Sequence, residues 1–112
     1  MFDPYNPSDS HSPMIKRIVC MDLLPETEDI FLDLFSNVNH EIRSQKGCMG
    51  LELLRGSHEG QLSLWTISLW QSVDDLETYR TSALFQKTWA RVKPLFSSKA
   101  RAWTLSSIDT LA

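Results

Sequence analysis

The stretch Leu62-Ser63-Leu64-Trp65-Thr66-Ile67-Ser68-Leu69-Trp70 decides the fold of this chain. It carries no charge and reads as a β-strand, because β-branched and aromatic side chains suit a pleated surface. Successive side chains of a strand point to opposite faces. Leu64, Thr66, Ser68 and Trp70 therefore share one face, and Trp65, Ile67 and Leu69 share the other. A strand with apolar bulk on both faces needs cover on both.

Working outward, Cys48 to Arg55 reads as the strand before it, joined by the loop Gly56-Ser57-His58-Glu59-Gly60. Upstream, Glu26 to Lys46 reads as a long helix. Ile30, Phe31, Leu34, Phe35, Val38 and Ile42 recur at helical spacing on it, and Glu26, Glu28 and Asp29 suit its positive end. Gly47 is its expected stop, in the left-handed conformation. Ile15 to Leu24 reads as a first strand, closed by Pro25. Downstream, Ser72-Val73-Asp74-Asp75 opens a second helix as a capping box with Asp in the usual Glu position. Thr81-Ser82 interrupts that helix, and Ser82 is a fresh cap for a segment carrying Leu84, Phe85, Thr88, Trp89 and Val92. Pro94 closes the segment, and Ala100 to Leu105 is a last short strand.

The order β-α-β-β-α-β predicts an α+β, ferredoxin-like domain: a four-stranded antiparallel sheet with its helices on one face. The other face, bearing Trp65, Ile67 and Leu69, would be a large apolar patch, and such patches mark association. Two copies packed sheet to sheet would hide it, so a homodimer is expected with these three residues at its interface.

A chain of 112 residues fits one domain with one modest core. The domain is expected over residues 14–112, after a polar, proline-bearing arm at residues 1–13. The net charge of -3 and the lack of a basic run imply neither nucleic acid nor an anionic membrane as partner. No apolar stretch is long enough to span a bilayer. Two cysteines without a Cys-x-x-Cys spacing make no disulfide framework, and a cytoplasmic location is expected. Four Trp and five Phe exceed what a core of this size needs, so some can line an interface or a pocket for an apolar or aromatic small molecule.

Three stretches carry a family resemblance. Ile42-Arg43-Ser44-Gln45-Lys46-Gly47-Cys48 places an Arg before a Gly-Cys step into the second strand. Thr66-Ile67-Ser68-Leu69-Trp70-Gln71-Ser72 ends a strand in Trp before a helix-opening turn, and Asp74 to Phe85 is a broken helix with Leu76, Tyr79, Ser82 and Phe85. Together, over about residues 14 to 106, they resemble the antibiotic biosynthesis monooxygenase domain. The resemblance implies a dimeric α+β barrel. Family members include cofactor-free oxygenases of aromatic polyketides, quinol oxidases, haem-degrading enzymes and proteins without known activity, so the fold does not settle the function.

The resemblance singles out Trp70, which members place at the pocket between sheet and helices; the alternative reading makes it core. Phe35, Tyr79, Phe85 and Trp89 are the other expected pocket residues, and Tyr79 can present its hydroxyl to a substrate oxygen. Trp89 stands where haem-degrading relatives carry an iron-ligating His, and Arg17 to Leu24 lacks their first-strand Asn. A haem oxygenase of that type is therefore disfavoured. His40 and Asp22 are candidate bases, although the helical wheel turns His40 toward solvent. Arg43 could bind an anion or make a surface ion pair.

His11, His40 and His58 form no metal-ligand spacing, so no metal is expected. Gly47-Cys48-Met49-Gly50 precedes no helix and is not a dinucleotide loop, so no cofactor is implied. No nucleophile elbow supports hydrolase chemistry. Two functions fit: a cofactor-independent monooxygenase, thus an oxidoreductase, acting on an aromatic or quinol-like molecule, and a non-catalytic small-molecule-binding or stress-related dimer.

Overall fold

The strand around Trp65 is central to the sheet. In the computed structural model, which describes residues 14–108, it forms β3 (Gln61–Trp70). β1 (Ile15–Asp22) and β2 (Cys48–His58) flank it, and β4 (Arg101–Ser106) lies beyond β1. The four-stranded order is β2-β3-β1-β4, with every pair antiparallel. This is the ferredoxin-like α+β arrangement expected. The arm expected at residues 1–13 lies outside the described residues, as does the end of the domain expected to run to residue 112.

The register separates the two faces. Val19 pairs with Thr66, Met21 with Leu64 and Ile15 with Trp70, all on the side the helices cover. Cys20 pairs with Trp65, and Ile18 with both Ile67 and Trp103, on the open side.

Three helices, α1 (Glu28–Arg43), α2 (Val73–Arg80) and α3 (Ala83–Val92), cover the first side. α1 is shorter than expected at both ends. Pro25–Thr27 is a 3-10 turn, pinned where Thr27 Oγ1 donates to the carbonyls of Leu24 (2.7 Å) and Leu95 (3.0 Å). At the far end the Ser44 hydroxyl donates to the His40 carbonyl at 2.8 Å, a side-chain bond that competes with helix continuation. Ile30 leaves the expected apolar face and is 52% exposed, because it sits about 100° around the axis from buried Phe31. Both predicted caps form: Ser72 Oγ accepts from the Asp75 N–H and Ser82 Oγ from the Phe85 N–H, each at 3.1 Å.

The hairpin is tighter than expected. The ladder continues through Gly56 and Ser57 to the pair His58 and Gln61, leaving only Glu59 and Gly60 in the turn. Both have positive φ (51° and 80°), as a two-residue hairpin turn requires. Gly47 has φ 81°, and an added Cβ there would meet the Asp75 carboxyl at 2.2 Å. It serves the turn into β2 and lets that turn approach the start of α2.

The core falls into two clusters. Met21, Leu23, Phe31, Leu64, Val92 and Leu95 form one; Ile15, Trp70 and Leu76 form the other.

Candidate functional site

Between the sheet and the helices lies a cavity of about 280 Å³. It exists because the two core clusters do not merge: Met21, Phe31 and Val92 of the first and Leu76 of the second all touch it. Its floor comes from the sheet, with Arg17, Val19, Leu51, Thr66, Ser68 and Ala102 among its residues. α1 contributes Leu34, Phe35, Val38 and Ile42; α2 contributes Tyr79 and Arg80; α3 contributes Phe85, Thr88 and Trp89. Small side chains at Ala100 and Ala102 leave room that larger residues would fill.

Four expected pocket residues meet here: Phe35, Tyr79, Phe85 and Trp89. Trp70 does not line the cavity. It is fully buried, and its Nε1 donates to Ser68 Oγ at 2.9 Å. Its indole stacks on Tyr79 at 5.1 Å, so it is core that supports a wall residue. From there the rings run on, Tyr79 to Phe85 (5.3 Å), Phe85 to Trp89 (5.8 Å) and Trp89 to Phe96 (5.5 Å). Such contacts fix ring orientations and hold an aromatic wall in place.

Burial, aided by the Cys48 side chain, pushes the Tyr79 hydroxyl up to about 12. Tyr79 is therefore neutral near pH 7 and presents a hydrogen-bond donor, not a base. The candidate bases stay away. His40 is exposed on α1. Asp22 belongs to the open side of the sheet, where it accepts from Ser98 (3.1 Å) and Arg101 (3.4 Å). Arg43 is exposed, its Nε donating to Asn39 Oδ1 at 3.3 Å. Among the described residues no Asp, Glu, His or Cys lines the cavity. Among the described residues no His/Cys/Asp/Glu cluster could hold a metal ion. Also among them, no helix is long and apolar enough to cross a membrane.

The charged lining residues, Arg17 and Arg80, were not anticipated. Alternation was the missed signal for Arg17. It shares the face of Ile15, Val19 and Met21, where a charge is out of place.

A ferredoxin-like sheet closed by helices over an aromatic-walled cavity defines a small α+β domain built to hold a ligand-sized space. The profile of the antibiotic biosynthesis monooxygenase family matches residues 14–91, and the chain belongs to that family. Similar solved structures include a Caulobacter crescentus protein provisionally named an antibiotic biosynthesis monooxygenase. It has a TM-score of 0.78 and 18% identity, over 88% of this chain and 93% of that one. Rv0793 from Mycobacterium tuberculosis has a TM-score of 0.76 and 17% identity, over 88% and 99%. A conserved protein from Methanosarcina mazei has 0.76 and 14%, over 83% and 91%. At these identities the likeness is one of fold. No curated protein sequence matches the chain.

Proposed function

We propose that this protein is a cofactor-independent monooxygenase acting on an aromatic or quinol-like small molecule held in the cavity. One observation carries the reading: an apolar cavity of about 280 Å³ walled by Tyr79, Phe85 and Trp89. That is close to the lower end of ordinary ligand pockets, roughly 300 Å³, and suits a compact fused ring.

The reaction class needs no external reductant. A ring methylene flanked by phenolic rings gives up four electrons to O₂; one oxygen atom becomes the new carbonyl and the other leaves as water with both hydrogens. The ionised ring passes the first electron to O₂, and the radical pair recombines. The protein contributes the bound geometry, a water-poor wall and the neutral Tyr79 hydroxyl as donor to a substrate oxygen.

Pairing of two copies through Trp65, Ile67 and Leu69 belongs to the same proposal. Trp65 stacks on Trp103 at 6.2 Å across the open side, and Trp103 and Leu105 are 42% and 49% exposed. A second copy of this apolar surface is its natural cover. The free thiols Cys20 and Cys48 suit a reducing compartment, and we take the protein to be cytoplasmic.

The test is oxygen uptake with a panel of anthrones, naphthols and quinols, with ¹⁸O₂ incorporation followed by mass spectrometry. One ¹⁸O atom in the product supports the oxygenase. Tight binding across the panel with no uptake would instead favour the non-catalytic binding dimer, a reading that fits a cavity wall with no carboxylate or imidazole among the described residues.

A further inference from the structure

The cavity wall carries two guanidiniums that feel each other's charge, and its charges do not balance. Arg17 reaches it from β1 and Arg80 from the last residue of α2. Arg17 Nη1 donates to Thr104 Oγ1 at 2.7 Å, a partner that brings no negative charge. Arg80 Nη1 donates to Glu77 Oε1 at 2.9 Å. Its Nε is buried and has no hydrogen-bond partner among the described residues. Burial first, and then the charge of Arg80, lower the Arg17 pKa, while Glu77 opposes them. Two guanidiniums thus share one carboxylate, and that carboxylate does not line the cavity.

A buried N–H without an acceptor is unfavourable unless something supplies one. The guanidinium fork matches an oxyanion and can hold it by two parallel bonds. Among the described residues no carboxylate lines the cavity, and a ligand oxyanion would supply the acceptor.

We infer that the aromatic ligand binds as an oxyanion, its ring against Tyr79, Phe85 and Trp89 and its charged oxygen between Arg17 and Arg80. This rests on the reading of the cavity as an aromatic-ligand site and narrows it to acidic rings. A side-chain carboxylate and an ionised ring hydroxyl share the required chemistry. In the second case the arginines stabilise the form of the ring that reduces O₂, which explains how the site can work without a carboxylate or imidazole base.

The experiment measures dissociation constants of the full chain for 1-naphthoate and its neutral isostere 1-naphthamide by calorimetry. Naphthoate is expected to bind about tenfold tighter or more, the ratio typical of a charge-assisted pair. Arg80→Met and Arg17→Met should each bring the naphthoate-to-naphthamide ratio most of the way to one, with naphthoate losing the more affinity; Arg17→Lys, which keeps the charge, should retain part of the preference. Thermal melting of each variant checks that it is folded. The absorbance of bound 1-naphthol separates the two sources: a naphtholate band at neutral pH assigns the anion to the ring oxygen, and a neutral spectrum assigns it to a carboxylate. Equal binding of naphthoate and naphthamide overturns the inference and leaves the aromatic site standing. Binding of neither probe overturns both.

Discussion

The two faces of the sheet carry similar side chains and meet opposite surroundings. On the helix side, Leu64 and Trp70 are fully buried, yet the covering helices leave a cavity beside them. On the open side, Trp65, Ile67 and Leu69 are only half-buried, and Leu54, Trp103 and Leu105 are exposed. One face is covered but incompletely filled; the other packs within its own layer but is uncovered. Apolar bulk therefore does not reveal role by itself. A void inside a cover can take a small ligand, whereas a broad uncovered surface takes another surface.

The largest test of this contrast is to charge the open face. Ile67→Glu should convert the proposed dimer into a monomer, so that wild type shows twice the mass of the variant in light scattering coupled to gel filtration. A variant that stays dimeric would end the sheet-to-sheet proposal. Next comes truncation of the matched tryptophans, best done in that monomeric background. Trp70→Ala should destabilise the fold by about 3–5 kcal/mol in urea, since it empties the centre of the smaller core cluster. Trp103→Ala should cost under about 1 kcal/mol, because its ring is already 42% exposed. Equal losses would erase the distinction between the faces.

A smaller effect is expected at Gly47. Gly47→Ala combines a positive φ with a clash against the Asp75 carboxyl and should cost about 2 kcal/mol in urea denaturation. The smallest is a pH effect on the helix side. Tyr79 has its hydroxyl raised from 10.0 to about 12, so the folded state favours its neutral form. The associated stability is fully present below pH 10 and is lost as pH rises through 12. Wild type should therefore lose up to about 2 kcal/mol more than Tyr79→Phe across that window, measured by denaturation at stepped pH. Parallel profiles would mean the hydroxyl is wetter than its burial implies.

Much of this molecule was legible because its signals are local. Ser72 and Ser82 announce helix starts through their own hydroxyls, and the glycine-bounded stretch Gly56 to Gly60 announces a hairpin, whose turn proper is Glu59-Gly60. The hairpin's length was misjudged, since Gly56 reads as a turn residue yet lies opposite Ser63 within the ladder. The aromatic wall was legible as residues and not as geometry. Tyr79, Phe85 and Trp89 were expected together through the family resemblance; helical spacing alone joins only Phe85 and Trp89, because the helix restarts at Ser82 after Tyr79. Trp70 was grouped with them through the resemblance, with core as the alternative; alternation gave its side of the sheet and said nothing about its depth beneath the helices.

The sequence by itself determined the element order, the two faces of β3, the caps and the family, because hydrophobic period, hydroxyl caps and glycine conformations act over a few residues. Only the tertiary structure decided that the two core clusters stop short of one another, that Trp70 backs the wall instead of lining it, and that Arg17 and Arg80 both line the space between. Those outcomes depend on where helices from distant parts of the chain settle on the sheet. Packing sets that distance, and no local pattern encodes it.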